Sequence, residues 1–417
     1  CMDKFIVNGG NQISGSVDIS GAKNAVLPLM TAALLVDGKT TINSVPDLRD
    51  TRTMIRLLEI IGAKVAFKNN SLSINASDVN NLEAPYDLVK TMRASFYVLG
   101  PLLARFGEVR VSLPGGCAWG PRPVDFHLKG LEKLGAKISL ESGYILAKAK
   151  HLKGNKISFD FPSVGATGNI LMASVLARGE THIENAAKEP EIVQLCEVLN
   201  QMGANIFGIG TDTLTVHGVD KLHSVDIDVI PDRIEAGTYL IAGATMGGIT
   251  LNNCNPKHLE DVINKLKLSG ANIYSNENSL SIEKIDSIES VDITTEVYPG
   301  FPTDLQAQWM AFMSIAKGKS TIIDTVYHDR FTHIPELNRL GANIQLKDNK
   351  AIVDGVNKLK GAQVMSTDIR ASAALILGAI IAEGKTEISR VYHIDRGYDS
   401  IEKKFQSLGV DIARINE

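Results

Sequence analysis

A segment rich in glycine and proline carries the most reactive side chain of this sequence. Residues 112–126 read SLPGGCAWGPRPVDF, with three glycines and three prolines, and this composition excludes a regular helix or a central strand. We therefore expect a long loop that presents Cys117 and Arg122. Because a cationic neighbour lowers the pKa of a thiol, Cys117 is suited to act as a nucleophile or a proton donor. Cys196 lies on an apolar helical stripe instead, which is typical of a small buried hydrophobe.

Charged side chains also stand at positions where helices are predicted to begin. Lys23, Arg93 and Arg370 each fall at such an entrance. A cation is unfavourable at the positive end of a helix, so something anionic should offset each of them. We interpret these three residues as anion-binding groups. For Asp368, also at an entrance, helix capping and a functional role remain equally open.

A repeated glycine phrase shows which elements position these side chains. An apolar residue or Ser, then Gly, a small residue, a polar residue and Val or Ile recur about every 70 residues, at Gly62, Gly135, Gly203, Gly270, Gly341 and Gly409. A second phrase of the type GKTTI keeps the same period, starting at Gly38, Gly107, Gly179, Gly247, Gly318 and Gly384. Two independent markers with one period predict six repeats.

Each repeat is predicted to contain the same elements. A helix of small and apolar residues such as 25–36 or 371–382 ends near one glycine phrase, and a short alternating strand follows. An amphipathic helix such as 192–202, the second glycine phrase and a strand hairpin complete the unit. The fold class is therefore α/β, with six units of the order βαβαββ.

The sixth repeat lacks its last strand, and the N-terminus supplies a match. Residues 5–9 (FIVNG) resemble residues 351–355 (AIVDG) of the fifth repeat. We therefore expect the N-terminal 21 residues to close the sixth repeat. This predicts one domain over 22–231, with repeats one to three and the loop at about 112–126, and a second domain formed by 1–21 and 232–417.

Composition and charge exclude several classes of protein. The chain has 417 residues, 43 Lys and Arg against 47 Asp and Glu, and a net charge of −4, which argues against bulk attraction to nucleic acid or an anionic membrane. Its four cysteines form no CxxC pair, so we expect neither a disulfide framework nor a metal site, and a reducing, cytoplasmic environment. We expect a monomer that needs no cofactor and spans no membrane. P-loop, Rossmann and zincin motifs do not occur.

Several phrases resemble one known family. They are SGAKNA at 20–25, TMRAS at 91–95, PGGC at 114–117, GPRPVD at 120–125, PTDLQAQ at 302–308, TDIRAS at 367–372 and YHIDRGY at 392–398. Over essentially the whole chain, the sequence resembles the enolpyruvyl transferases that act on UDP-N-acetylglucosamine. The resemblance implies two inside-out α/β domains of three repeats each. It also implies transfer of the enolpyruvyl group of phosphoenolpyruvate to the 3-hydroxyl of the sugar, with release of phosphate, at the start of peptidoglycan synthesis.

The same resemblance implies roles for particular residues. Cys117 would protonate the vinyl carbon, Asp304 would take the hydroxyl proton, and Lys23 and Arg396 would complete the catalytic set. The residues implied to bind the two substrates are Lys23, Asn24, Arg93, Arg122, Pro123, Val124, Asp125, Phe126, Ser163, Val164, Gly165, Asp304, Val326, Arg370 and Arg396. Phe161 departs from the Lys that some relatives carry near the uracil site.

Three alternatives stay open at this point. A sister enolpyruvyl transferase acting on shikimate 3-phosphate shares the six-repeat fold, but the Cys117 loop and the RPVD phrase speak against it. A non-catalytic UDP-sugar-binding paralogue would not need Cys117, Asp304, Lys23 and Arg396 together. A repeat protein acting only as a scaffold would not need cations at helix entrances.

Overall fold

The chain folds into two compact units, and one of them contains both the N-terminal and the C-terminal segments. The computed structural model describes residues 2–114 and 124–416. Unit 1 contains residues 1–20 and 231–417, and unit 2 contains residues 21–230. The chain therefore passes from unit 1 into unit 2 after Ser20 and returns after Ile230.

The helices and strands of the described residues alternate along each unit. The α-helices are α1 Lys23–Ala32, α2 Arg49–Ile61, α3 Tyr86–Val89, α4 Leu99–Phe106, α5 Asp125–Lys133, α6 Val164–Ser174, α7 Pro190–Gln201, α8 Arg233–Met246, α9 Glu260–Leu268, α10 Gln306–Met313, α11 Ile334–Arg339, α12 Ile369–Ile381 and α13 Ile401–Ser407. Short 3₁₀ helices lie at Ala33–Leu35, Arg93–Val98, Pro256–Leu259, Thr303–Leu305 and Val391–Arg396.

The strands are short, mostly three to seven residues. They are β1 Asp3–Gly9, β2 Gly15–Asp18, β3 Lys39–Asn43, β4 Lys64–Lys68, β5 Ser71–Asn75, β6 Glu83–Ala84, β7 Glu108–Ser112, β8 Lys137–Glu141, β9 Tyr144–Lys148, β10 Lys156–Ser158, β11 Glu180–Glu184, β12 Asn205–Phe207, β13 Thr213–His217, β14 Asp226–Asp228, β15 Ile249–Asn252, β16 Ile273–Ser275, β17 Ser279–Ile282, β18 Ile293–Thr295, β19 Lys319–Asp324, β20 Asn343–Lys347, β21 Lys350–Asp354, β22 Gln363–Met365, β23 Gly384–Ser389 and β24 Asp411–Asn416.

Within the described ranges these strands form six four-stranded sheets with one common order. In each sheet a parallel pair is followed by an antiparallel hairpin, as in β18-β19-β21-β20, where Ile293 pairs with Ile322 and Ile344 with Val353. The predicted repeat of βαβαββ is confirmed by this order. It recurs because each repeat must bury one face of its small sheet against its own helices.

The N-terminal segment contributes to two sheets, not one. β1 lies between β23 and β24, with Val7 opposite Thr386 and Ile412, so it completes the sixth repeat as predicted. β2, however, pairs in parallel with β15 of the fourth repeat, with Val17 opposite Leu251. β14 correspondingly completes the sheet of the first repeat. The prediction that all 21 N-terminal residues close the sixth repeat is therefore wrong for β2.

The first helix of each repeat lies in the interior of its own unit. In unit 1, α8, α10 and α12 pack against one another, and nearly every residue of each is buried. In unit 2, α6 packs against α4 and is buried from Ala166 to Ser174. Helices that are apolar all round belong in an interior, and this arrangement places the sheets around them. Each unit has its own hydrophobic core.

The repeated glycines end the second helices as the sequence predicts. Gly62 follows α2 with φ 112° and Gly341 follows α11 with φ 96°, in the left-handed region that glycine occupies without strain. The prediction of a loop over 112–126 is wrong at its two ends, because Ser112 belongs to β7 and Asp125 begins α5. Among the described residues, no helix is long and apolar enough to cross a membrane.

Candidate active site

An aspartate and two arginines form a charged cluster in unit 1. The Asp304 Oδ1 atom lies 2.8 Å from Arg330 Nη1 and 3.5 Å from Arg370 Nε. The Arg370 side chain is only 6% exposed, whereas Asp304 retains 24%. Asp304 is thus held by two cations and still reaches solvent with part of its carboxylate.

Asp324, at the end of β19, organises the backbone around this cluster. Its buried carboxylate accepts hydrogen bonds from the hydroxyls of Thr295 and Thr303 and from the backbone N–H groups of Val326 and Tyr327. These bonds fix the residue before Asp304 and the loop that leads to Arg330. Gln306 adds a bond from its amide to the Arg330 carbonyl, 2.7 Å long. The position of Asp304 therefore depends on the Asp324 carboxylate, whose two oxygens both accept hydrogen bonds within the protein.

The charges around Asp304 decide its protonation state. Burial alone would raise the pKa of this carboxyl, but Arg370 and Arg330 outweigh burial and hold the pKa well below its usual range. Asp304 in turn raises the already high pKa of Arg370. The cluster is therefore ionised throughout at neutral pH.

Asp368 is the N-cap of α12. Its Oδ1 atom accepts hydrogen bonds from the backbone N–H groups of Arg370 and Ala371, both 2.9 Å long. The capping alternative is thus the one that the structure supports, and the cap orients the first turn that carries Arg370. The cation at this helix entrance is offset by Asp304 of the same unit.

Lys23, at the first residue of α1, is also offset by an acid of its own unit. Its Nζ atom lies 3.0 Å from Asp50 Oδ2, and the two side chains are 11% and 4% exposed. Asn24, the next residue, is half-buried. The negative charge expected beside Lys23 is therefore supplied by the Asp50 side chain, as Asp304 supplies it for Arg370.

A neutral hydrogen-bond network lies at the entrance of α6 in unit 2. Asn169, fully buried, accepts from the Gly100 backbone N–H and donates to the Phe96 carbonyl, both at 2.9 Å. Its amide nitrogen also lies 2.9 Å from His127 Nδ1. Because the two backbone groups fix the amide orientation, its remaining N–H points at His127, and Nδ1 must accept it. His127 is therefore neutral with its proton on Nε2.

His127 stays neutral well into the acid range. Burial, with a smaller contribution from Arg93, lowers its pKa to about 3. The ring edge lies directly against Gly165, where an added Cβ would come within 3.2 Å of Cε1 and 3.3 Å of Nε2. Glycine at 165 thus allows the imidazole to pack onto the first turn of α6, next to Ser163 and Val164.

The other predicted residues of unit 2 lie in three places. Ser163 is the N-cap of α6, accepting from Ala166 N at 3.2 Å. Asp125 and Phe126 begin α5, and the Phe126 ring makes an edge contact with Phe159. Val124 is buried just before that helix. Arg93 opens a 3₁₀ helix and is exposed. Cys117, Arg122 and Pro123 lie outside the described residues.

Arg396, the remaining predicted residue, ends a 3₁₀ helix in unit 1 and is half-buried. Its neighbour Asp395 accepts a 2.8 Å hydrogen bond from Arg414 Nη1, and Arg414 also pairs with Asp3 of β1. The segment that carries Arg396 is thus fastened to the sheet that joins the two chain ends.

Several residues of these clusters were not predicted from the sequence, among them Asp50, Asn169, Asp324 and Arg330. Asp324 ends β19, and Arg330 lies in the loop between β19 and α11. His127 directly follows the 112–126 segment and sits on a helical face, which offers a weak signal for a buried polar residue. Across residues 2–114 and 124–416, no group of His, Cys, Asp and Glu is arranged to hold a metal ion.

Comparison with known proteins agrees with this architecture. A family model described as EPSP synthase (3-phosphoshikimate 1-carboxyvinyltransferase) matches residues 7–405, so the chain belongs to this family of enolpyruvyl transferases. The solved structure of the enolpyruvyl transferase NikO from Streptomyces tendae superimposes with a TM-score of 0.92 at 25% identity, covering 100% of this chain and 99% of that one. EPSP synthase from Acinetobacter baumannii shares the fold, with a TM-score of 0.78 at 17% identity and full coverage of both chains.

Curated relatives are more similar in sequence. The UDP-N-acetylglucosamine 1-carboxyvinyltransferase of Chlorobaculum parvum is 54% identical over 417 residues, covering 99% of this chain and 98% of the relative. The protein of the same name from Desulfosudis oleivorans is 53% identical over 415 residues, covering 99% and 100%. Both relatives have the same name, and each matches this chain over nearly its whole length.

Proposed function

We propose that this chain transfers the enolpyruvyl group of phosphoenolpyruvate to the 3-hydroxyl of UDP-N-acetylglucosamine and releases phosphate. The observation that carries the proposal is full-length identity above 50% to relatives named for this reaction. The charged cluster around Asp304 supplies the chemistry that such a transfer needs, a deprotonated acid beside cations suited to a carboxylate. The product would enter peptidoglycan synthesis.

The reaction adds the sugar hydroxyl across the double bond of phosphoenolpyruvate and then eliminates phosphate. In the addition, the C–O bond forms as the hydroxyl loses its proton to Asp304 and the vinyl carbon gains one from Cys117. In the elimination, the C–O bond to phosphate breaks and the same carbon loses a proton, which restores the double bond. We assign Lys23, Arg122 and Arg396 to phosphoenolpyruvate, with Arg370 at its carboxylate.

The low pKa of Asp304 fits a proton acceptor that must be ionised before reaction. Arg370 and Arg330 guarantee the ionised form but reduce its basicity. A substrate carboxylate bound at Arg370 would offset part of that positive charge and raise the pKa of Asp304. Basicity would thus rise only when phosphoenolpyruvate is in place.

We propose that Asn24 and Arg93 complete the phosphoenolpyruvate pocket. For the nucleotide sugar we propose the 122–126 segment, together with Ser163, Val164, Gly165, Asp304 and Val326. The α6 entrance suits a diphosphate because helix N-termini present free N–H groups.

We place the enzyme in the cytoplasm, since Cys196 and Cys254 are buried free thiols, typical of a reducing compartment.

The test is phosphate release from phosphoenolpyruvate with each of two acceptors. We expect release that depends on UDP-N-acetylglucosamine and none with shikimate 3-phosphate. Release that requires shikimate 3-phosphate would transfer the assignment to the sister enzyme. Binding of the UDP-sugar without any release would indicate a non-catalytic paralogue.

A further inference from the structure

Three sequence phrases of unit 1 meet at one buried hydroxyl group. Tyr398, from the last phrase, is 2% exposed, and its oxygen lies 2.7 Å from Thr238 Oγ1 of α8 and 3.3 Å from Gln308 Nε2 of α10. Its ring centroid is 5.8 Å from the Arg370 guanidinium carbon. Against the effect of burial, Asp304 and, to a smaller extent, hydrogen bonding to Tyr398 raise the pKa of Arg370. The phenol therefore lies beneath the most buried cation of the Asp304 cluster.

The donors and acceptors around this phenol assign its proton. The Thr238 hydroxyl donates to the Ile234 carbonyl at 2.9 Å, so its oxygen must act as the acceptor toward Tyr398. The Gln308 amide nitrogen also lies 3.4 Å from the same oxygen. The phenol proton therefore points at Thr238 and away from Arg370. The two lone pairs of the phenol oxygen are left for the Gln308 amide and for Arg370.

Gln308 connects the buried Tyr398 hydroxyl to the backbone of Asp304. Its Nε2 atom also donates to the Asp304 carbonyl at 3.0 Å, so one amide joins Asp304 to Tyr398. Thr238, Gln308 and Tyr398 are all buried, and each comes from a different repeat of the unit. A change at any of them reaches Arg370 through hydrogen bonds, with no contribution from solvent.

We propose that Tyr398, oriented by Thr238 and Gln308, is a positioning residue that fixes the Arg370 guanidinium for the carboxylate of phosphoenolpyruvate. This inference rests on the proposed function. Tyr398 touches no substrate in this account. It presents an oriented acceptor to one side of Arg370 while Asp304 holds the other, which leaves the guanidinium a single orientation toward an incoming carboxylate.

Tyr239 provides a matched control. It neighbours Thr238 on α8, it is fully buried against Phe405, and its hydroxyl has no hydrogen-bond partner among the residues that the structure describes. Tyr239→Phe and Tyr398→Phe therefore each remove one buried phenol oxygen, and only the second removes hydrogen bonds.

The test compares steady-state kinetics of the full chain. We expect Tyr398→Phe to raise the KM for phosphoenolpyruvate about tenfold while the KM for UDP-N-acetylglucosamine changes less than about twofold. Thr238→Val, which leaves the phenol proton free to turn, should act in the same direction. Tyr239→Phe should leave both constants unchanged.

A double-variant cycle separates positioning from general destabilisation. If Tyr398 acts through Arg370, then Tyr398→Phe should add less than about twofold to the KM for phosphoenolpyruvate in an Arg370→Lys background. Full additivity, or a Tyr398→Phe effect equal to that of Tyr239→Phe, would overturn the inference. Wild-type chain that releases no phosphate with UDP-N-acetylglucosamine would instead overturn the proposed function, so the two failures are distinguishable.

Discussion

Two helix entrances at the same place in the repeat carry opposite kinds of chemistry. At the entrance of α6 in unit 2, His127 and Asn169 form a neutral network in which each hydrogen bond is directed by backbone groups. At the equivalent entrance of the fifth repeat in unit 1, Asp304 meets Arg330 and Arg370 as full charges. The same repeated fold thus holds a pair of neutral, hydrogen-bonded side chains at one helix and three ionised side chains at the other. The difference lies in which residues surround each entrance.

The comparison indicates how each entrance is stabilised. The neutral network gains stability because its polar atoms are satisfied in a buried place. The charged triad offsets its desolvation by pairing, which leaves it sensitive to loss of either sign. We therefore expect changes at Asp304 to affect catalysis most and changes at Asn169 to affect folding most.

The largest effect should follow removal of the charge at Asp304. Asp304→Asn keeps the shape but removes the proton acceptor, so we expect kcat to fall roughly 1000-fold, within the usual range for a general base. Binding of phosphoenolpyruvate, measured by calorimetry, should weaken much less. Asp329→Asn, an exposed acid beside Arg330, is the control and should keep its activity. Equal losses in the two variants would contradict the role of Asp304.

The next effect concerns the buried pair of Lys23 and Asp50. Lys23→Met removes the lysine from Asp50 in a buried place, so the free energy of unfolding should fall by about 4 kcal/mol. Lys23→Met with Asp50→Leu should recover most of that stability and none of the activity. Chemical denaturation measures the first and phosphate release the second.

The exposed pair of Lys64 and Asp78 is the control for this prediction, because its side chains are 77% and 67% exposed. Lys64→Met should cost under about 1 kcal/mol. If the double variant regained activity, Lys23 would serve structure alone.

A smaller effect compares the two buried amides. Asn169→Leu leaves the Gly100 N–H and the Phe96 carbonyl unpaired, which should cost about 3 kcal/mol of unfolding free energy. Gln308→Leu should cost about 1 kcal/mol, since within the described part of the chain the Gln308 carbonyl oxygen already lacks a hydrogen-bond partner. Denaturation midpoints of the two variants decide the order. The reverse order would show that the neutral network is not the more rigid one.

The smallest effect is a dependence of stability on pH. The unfolded chain protonates His127 below about pH 6.5, whereas the folded pKa is about 3, so this residue makes the fold less stable as pH falls from 6.5 toward 3. His127→Phe should therefore remove about 2 kcal/mol of the stability lost between pH 7 and pH 4.5. The exposed His151→Phe is the control. An unchanged pH profile in His127→Phe would contradict the neutral assignment.

The sequence predicts the repeat well because glycine recurs at the same two places in each repeat unit. Gly62 and Gly341 have positive φ, so the backbone itself demands them at this spacing. The exchange of β2 and β14 between sheets could not be predicted, since strands of four and three residues carry little pattern and pair with distant partners. Arg330 was missed because it lies in the loop between β19 and α11, outside both repeated glycine phrases. Lys23 and Arg370 were predicted correctly as cations at helix entrances, but their partners Asp50 and Asp304 depend on tertiary contacts.

The most direct measurement is the mass of the nucleotide sugar after incubation with the chain and phosphoenolpyruvate. The account predicts a UDP-N-acetylglucosamine that has gained one enolpyruvyl group for each phosphate released, and a gain roughly 1000-fold slower when Asp304→Asn replaces the wild type. An unmodified UDP-sugar in the presence of released phosphate, or an enolpyruvyl group on shikimate 3-phosphate instead, would contradict it.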